Sequence, residues 1–158
     1  MTPKNTQLYK IRNLAGFSLV EVLIALVIMS VGMLGIAGLY VEGMKAGRTS
    51  TFRHHAVTLA GDVADRIRAN PRGGVDYEGV GGNNNCVLGN VDCNEAQMAA
   101  NDIALWTTQA ATMLPNGTVT ITFDDNVTPN TYRIAVAWAE AGALSAPSYS
   151  IIIPTNPF

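Results

Sequence analysis

The most distinctive chemical group in this sequence is Glu21, an acid at the start of a long apolar stretch. From Val22 to Val41 the chain has twenty residues and no charged side chain. An unpaired carboxylate deep in a membrane helix costs on the order of 3 kcal/mol by insertion scales, and less near the membrane surface. Arg12 and Lys45 are both too far along the chain to lie within one helical turn of it. We therefore expect Glu21 either to lie hydrated at headgroup level or to pair with a cation from elsewhere.

No other set of residues predicts a catalytic or metal centre. The sequence contains no plausible arrangement of nucleophile, base and acid, no paired acids at an enclosed site and no Gly-rich phosphate loop between a strand and a helix. The adjacent His54 and His55 point in different directions on a helix, so a shared metal is not expected. The turn at Asp124-Asp125-Asn126 lacks the spaced ligands of a calcium loop. We therefore expect no enzyme activity, no metal and no cofactor.

Cys86 and Cys93 are the two cysteines of the chain, and they lie in a segment rich in Gly and Asn. An isolated pair in a small domain is typical of a disulfide in an oxidising compartment. By the chain-entropy model, closing so short a loop stabilises the fold by roughly 2.5 kcal/mol. Two free thiols, or half of a metal site, are the alternatives, but neither histidine lies near in sequence to complete zinc ligation.

The apolar stretch is long enough to cross a membrane. At about 1.5 Å per residue, it matches the roughly 30 Å hydrocarbon core of a bilayer. A cleaved secretory signal is the alternative, but its apolar region is about 7 to 15 residues long and ends at a small-residue cleavage site. The positive-inside rule does not orient the helix, because three basic residues precede it and three follow it. They are Lys4, Lys10 and Arg12 before the stretch, and Lys45, Arg48 and Arg53 after it.

The helix is predicted to continue beyond the membrane with one apolar face, and to end at Asn70-Pro71. This face consists of Phe52, Ala56, Leu59, Val63 and Ile67. Arg66, Arg68 and Arg72 are interpreted as a solvated helix end. With no basic stripe beyond this cluster, and a formal net charge of −2, we expect no nucleic-acid partner.

The remainder predicts a small α+β head. Residues 71–94 have almost no periodicity and predict a loop, after which Asn94 and Gln97 are suited to cap a second helix. The buried face of that helix is expected to hold Ala99, Ile103, Trp106, Ala110 and Met113. The segments TVTITF, TYRIAVAW and SYSIII then alternate with period two, which predicts antiparallel strands. The fold class is therefore α+β, with a long N-terminal helix packed on a sheet of about three or four strands and a second, short helix.

The stretch GFSLVEVLIAL resembles the prepilin signature of type IV pilins and type II secretion pseudopilins. That signature has a short basic leader, a Gly, a Phe and an apolar run with Glu as the fifth residue after the Gly. The resemblance implies that a prepilin peptidase cuts between Gly16 and Phe17, and that the new amino terminus of Phe17 is methylated. It also implies that Glu21 pairs with the Phe17 amino terminus of a neighbouring subunit in a filament.

The glycines Gly32, Gly35 and Gly38 recur within the apolar stretch. Glycine allows close helix approach and lowers helix stability by about 1 kcal/mol relative to Ala. We expect the helix to loosen in this zone once the subunit is in a filament.

Two further stretches, LAGDVADRIRANPRGG and DIALWTTQAATMLPNG, resemble the minor pilins called type IV pilus modification proteins (PilV). The resemblance implies a cleaved leader over 1–16, a membrane and polymerisation helix over 17–41, its amphipathic continuation over 42–70 and a head over 71–158. It implies a minor pilin that joins others in a priming or tip complex and supports twitching motility and adhesion. The alternative is a minor pseudopilin of a type II secretion system.

The same resemblance implies where the protein works and with what. The expected partners are other minor and major pilins, the prepilin peptidase and the inner-membrane assembly platform. The expected location is the inner membrane, with one span and a periplasmic head, and then the pilus at the cell surface.

Overall fold

The structure, a computed structural model, describes residues 16–87 and 91–155. The expected leader therefore lies outside the described residues, apart from Gly16. The described chain has the predicted α+β class, and it divides into two units between Met44 and Lys45. Its elements are helix α1 (Leu19–Ala69), a 3-10 helix (Pro71–Glu78), helix α2 (Glu95–Met113), and strands β1 (Thr118–Asp124), β2 (Thr131–Ala137) and β3 (Ser148–Pro154).

The unit that ends at Met44 contains the first half of α1, and its apolar side chains contact no core. The helix is long and apolar enough to cross a membrane, and none of its most apolar 18-residue window is buried within the protein. Side chains such as Leu34 and Leu39 are 73% and 76% exposed. A continuous apolar surface of this size is stable only against lipid or another protein surface.

In the unit that begins at Lys45, α1 presents the apolar stripe predicted from the sequence. Five of its members were foreseen: Phe52 is half-buried against the core, and Ala56, Leu59, Val63 and Ile67 are buried. Ala60 and Ala64 are buried as well, which widens the stripe and brings the helix backbone close to the core. The helix ends at Ala69 because Pro71 has no N–H to continue it and disfavours helical geometry in the residue before it.

The sheet has three antiparallel strands in the order β1-β2-β3. Its central strand β2 contributes Tyr132, Ile134 and Val136 to the core, each at most 1% exposed. The register aligns Ile121, Ile134 and Ile151 in one row across the three strands. The opposite face is exposed and carries mainly small or polar residues, as period-two alternation requires.

Helix α2 begins as the sequence predicted. The Asn94 side chain accepts from the Gln97 backbone N–H at 2.8 Å, and the Gln97 side chain accepts from the Asn94 N–H at 3.1 Å, which forms a capping box. The prediction that Met113 is buried was wrong, since it is 45% exposed. The helix ends at Met113, and the extended backbone of the next residue turns Leu114 into the core instead.

The segment between the helices is more ordered than the sequence indicated. Residues Pro71–Glu78 form a 3-10 helix with a kink at Gly74 rather than a loop, and this helix buries Tyr77. The chain then crosses α2, where the Gly82 N–H donates to the Ala100 carbonyl at 2.9 Å. Cys86 and Cys93 form a disulfide with their Cα atoms 5.7 Å apart.

The close crossing at Gly81 gives a testable prediction. A Cβ on Gly81 would lie 2.7 Å from the Ala104 backbone nitrogen, whereas one on Gly82 would meet only the Ala100 Cβ at 3.9 Å. Because the helix backbone cannot move aside, we expect Gly81→Ala to lower the free energy of unfolding by about 1 to 3 kcal/mol. Gly82→Ala is the matched control and should change it by much less. Urea unfolding followed by the fluorescence of the buried Trp106 and Trp138 measures both, and equal midpoints would contradict the prediction.

Candidate functional site

The residues at the expected cleavage position lie outside the helix. Gly16, Phe17 and Ser18 precede α1, and the first backbone bonds of the helix run from Glu21 N–H and Val22 N–H to the Ser18 carbonyl at 3.1 and 3.2 Å. The Phe17 side chain is 84% exposed. A peptidase needs a peptide bond that is free of helical hydrogen bonds, and the Gly16–Phe17 bond meets that condition.

Glu21 lies in the first turn of α1, where its side chain is exposed. The unpaired N–H groups and partial positive charge of a helix N-terminus favour a carboxylate there. Within residues 16–87 and 91–155, no cationic side chain lies within ion-pair distance of Glu21. The pairing of Glu21 with a neighbouring subunit therefore stays a prediction.

The glycines of the apolar stretch lie in continuous helix in this single chain. A Cβ added at Gly32, Gly35 or Gly38 would meet nothing within 4 Å, so the isolated subunit does not require glycine at these positions. The nearby Ser30 hydroxyl donates to the Leu26 carbonyl at 2.7 Å, which satisfies its polar group inside the apolar segment. The expected loosening concerns the filament and stays a prediction.

A buried carboxylate, Asp102, organises the polar contacts of the head. Its side chain is 3% exposed, and its Oδ1 accepts from Arg66 Nη1 at 3.1 Å. Its other oxygen, Oδ2, accepts from the Tyr77 hydroxyl at 3.4 Å. Burial raises the pKa of the Asp102 carboxyl, while the hydrogen bond and charge of Arg66 oppose that rise. The contacts connect α1, the 3-10 helix and α2 at one point.

Asp62 and Asn70 extend this cluster along α1. The Trp106 Nε1–H donates to Asp62 Oδ2 at 3.0 Å, and Arg66 Nε lies 3.3 Å from the same carboxylate oxygen. The Asn70 amide donates to the Tyr77 hydroxyl at 3.1 Å and to the Glu95 carbonyl at 2.9 Å. We call these six residues, Asp62, Arg66, Asn70, Tyr77, Asp102 and Trp106, the head polar cluster.

The two buried tyrosines act as neutral hydrogen-bonding groups. Burial raises the pKa of the Tyr77 hydroxyl well above its usual range, and burial also raises the pKa of Tyr132 to about 12. The Tyr132 hydroxyl donates to the Gly74 carbonyl at 2.9 Å, which holds the 3-10 helix against the sheet. Both groups therefore stay protonated at physiological pH and stabilise structure rather than transfer protons.

The interpretation of Arg66 as part of a solvated cluster was wrong. Arg68 does lie at the surface, 2.8 Å from Asp65. Arg72 also lies at the surface, 3.6 Å from Glu95. Arg66 instead reaches inward to Asp102, which lies 36 positions later in sequence. The available signal was an acid between Ala99 and Trp106 on the apolar face of α2, since an acid at such a position requires a partner.

The predicted site residues belong to different units. Gly16, Phe17 and Glu21 lie before Met44, and the disulfide lies in the unit after it. In the part of the chain that the structure describes, no three His, Cys, Asp or Glu side chains lie close enough together to hold a metal.

The head polar cluster gives a second prediction. Asp102→Ala removes the acceptor of both Arg66 and Tyr77, so we expect the free energy of unfolding to fall by about 2 to 4 kcal/mol. Arg66 keeps its contact with Asp62, which limits the loss. Asp65→Ala is the control, because it removes an exposed ion pair and should change stability by about 0.5 kcal/mol or less. Urea unfolding monitored by tryptophan fluorescence compares them, and a similar loss for both variants would refute the role given to Asp102.

Comparison with known protein families gives two adjoining matches. The model described as the prokaryotic N-terminal methylation motif matches residues 11–37, which include Gly16, Phe17 and Glu21. The model described as type IV pilin Tt1218 matches residues 38–104, which include Arg66 and Asp102. No curated protein and no solved structure matches the chain. With a methylation motif over its exposed apolar helix and a pilin segment directly after it, the chain is similar to type IV pilins over residues 11–104.

Proposed function

We propose that this protein is a minor pilin of the PilV type, which joins other minor pilins in a complex that primes pilus assembly. The observation that carries the proposal is where the resemblance to PilV falls. Its two stretches, 59–74 and 102–117, are separated by 27 residues in sequence. They nevertheless contribute five of the six residues of the head polar cluster: Asp62, Arg66, Asn70, Asp102 and Trp106.

Two resembling stretches that are distant in sequence but contact each other in the fold support a shared head structure rather than chance similarity. Single helical segments resemble each other easily, because few residue types suit an amphipathic helix. A buried Asp–Arg contact with a tryptophan donor is far more demanding, since each member left alone carries a desolvation penalty. The proposed role in twitching motility and adhesion follows from membership of this group.

The assembly chemistry in this proposal begins with leader removal. Cleavage between Gly16 and Phe17 leaves a chain of residues 17–158 with a new amine, which is methylated, at Phe17. The leader holds three basic residues and no acid, so its removal changes the formal net charge from −2 to −5. The charged amine then pairs with Glu21 of a neighbouring subunit as the apolar helices leave the membrane and bundle.

The pairing sets the register between subunits. In a low-dielectric bundle, an isolated amine or carboxylate is strongly unfavourable, so neighbouring helices are stable only where the two charges meet. Before assembly the head lies in the periplasm and residues 17–41 lie in the inner membrane. Residues 42–70 continue the helix, and 71–158 form the head. The prepilin peptidase and the assembly platform in that membrane are the other partners.

Mutation of the cleavage position tests the proposal most directly. Gly16→Ala should block processing, because the peptidase acts after a Gly that is followed by Phe17. Mass spectrometry of the native protein should find a chain that starts at methylated Phe17. This chain should be two hydrogens lighter than its reduced form, because Cys86 and Cys93 form a disulfide. The Gly16→Ala chain should keep its leader, and a normally sized mature protein from this variant would count against the proposal.

Glu21→Ala tests the pairing separately from processing. We expect membrane insertion to persist, since removal of an acid favours the apolar environment, while incorporation into pili falls by about tenfold or more because the neighbouring amine loses its partner. Glu42→Ala, outside the apolar stretch, is the matched control. Immunoblots of sheared pili and of membranes provide the measurement, and unchanged recovery of the Glu21 variant in pili would contradict the pairing.

Deletion of the gene distinguishes a pilus subunit from a type II secretion pseudopilin. Loss of pili supports the proposal, and loss of protein secretion alone supports the pseudopilin alternative.

A further inference from the structure

The two edges of the sheet differ in how their backbone groups are used. On β1, the outward-pointing N–H of Phe123 donates to Glu78 Oε1 at 2.7 Å. Glu78 and Gly79 also line one pocket with Val119, Thr120 and Ile121 of β1. The segment at the end of the 3-10 helix therefore lies along the β1 edge and occupies one of its donors.

The pairing register identifies the backbone groups at the other edge. Trp138 N–H donates to the Pro147 carbonyl, and Thr155 N–H donates to the Asn130 carbonyl. Hydrogen-bonded pairs alternate in an antiparallel ladder, so Tyr149, Ile151 and Ile153 bond to β2. The N–H and C=O groups of Ser148, Ser150 and Ile152 consequently point away from the sheet.

Within residues 16–87 and 91–155, none of these three outward N–H groups has a hydrogen-bond partner. The fourth outward position is Pro154, which has no N–H to satisfy, as is typical of a free edge. Natural sheets protect such edges with charged side chains, bulges or covering segments. Strand β3 contains no charged residue, and Ile152 is 54% exposed.

We propose that β3 pairs antiparallel with β3 of a second copy of this chain, centred on Ser150, so that two three-stranded sheets join. In this register Ser150 faces Ser150 and Ser148 faces Ile152, which uses all three outward N–H and C=O groups of each copy. A register centred on Ile152 would place Pro154 opposite Ser150 and lose hydrogen bonds at both ends. The proline therefore selects the register.

The side chains of β3 suit this symmetric pairing. On the inner face, half-buried Tyr149 of each copy lies opposite half-buried Ile151 of the other, an aromatic and β-branched pair of the kind that stabilises adjacent strands. On the outer face the facing residues are uncharged, so no like charges oppose each other. The same surface patch serves both copies, as a two-fold interface requires.

One strand pair buries less surface than a stable dimer needs, so the interaction depends on concentration. A membrane-anchored protein gains the missing affinity from confinement, which raises the effective concentration of one head near another. The test therefore uses the full chain in phospholipid vesicles. The inference is independent of the minor-pilin proposal, because it requires neither processing nor other pilins.

Engineered cysteines report the pairing, since both native cysteines are in a disulfide. Ser150→Cys places two thiols opposite each other across the joined edge, with Cα atoms about 5.5 Å apart. Thr122→Cys is the matched control, because it is exposed on the same outer face but on β1. A short bis-maleimide should link the Ser150→Cys chains into homodimers at least fivefold more than the Thr122→Cys chains. Equal linking of the two variants would overturn the proposal.

A second measurement isolates the backbone hydrogen bonds. Donor and acceptor dyes on Thr122→Cys chains should show energy transfer between copies above the level of random mixing. Adding Ser150→Pro should remove this excess, because it deletes the central outward N–H while the ladder to β2 is kept. Adding Ser150→Ala, which keeps that N–H, should preserve it. Equal energy transfer for the Pro and Ala variants would overturn the proposal. The absence of excess transfer between Thr122→Cys chains with Ser150 unchanged would also overturn it, and that result does not depend on the stability of the Pro variant.

Discussion

An apolar helix that no other part of its own chain covers is the constraint on which this molecule depends. The side chains from Val20 to Val41 are exposed in the single chain, and such a surface is stable only in lipid or against similar helices. A pilin uses both environments in turn. Glu21 is the one charged group within this apolar segment, at its start. In the proposed pairing, this charge discriminates between arrangements of the helices that apolar contacts alone would make nearly equivalent.

The head is stabilised by polar contacts as well as by its apolar core. Its small core is supplemented by the head polar cluster, in which Asp102 receives hydrogen bonds from both α1 and the 3-10 helix. Trp106 adds a donor to Asp62 on α1, so α2 is attached to α1 by directional bonds as well as by apolar packing. Directional bonds of this kind favour one orientation of the two helices, which apolar packing alone specifies less strictly.

Local patterns in the sequence were sufficient for most of the fold. The stripe from Phe52 to Ile67, the cap at Asn94 and the three alternating strands all depend on neighbours within a few residues, and all were predicted. The errors involve distant partners or element ends. Arg66 was wrongly assigned to the solvent because its partner Asp102 lies far away in sequence. Met113 was wrongly assigned to the core because a shift of one residue at the helix end buries Leu114 instead. For the candidate site, Glu21 was singled out as an acid at the start of an apolar stretch. Gly16, Phe17 and the pairing of Glu21 came from resemblance to a motif, since periodicity carries no information about cleavage.

The carboxylate of Glu78 has a consequence for how large an assembly of these heads can become. A sheet with two open edges can add strands without limit, which is the geometry of fibrils. Here Glu78 occupies the N–H of Phe123, one of the three N–H groups of β1 that point outward with those of Val119 and Ile121, so a strand that adds at this edge loses one hydrogen bond. A single acid bound to Phe123 N–H thus makes strand addition at β1 less favourable than at β3, and so disfavours unlimited lateral growth of the sheet.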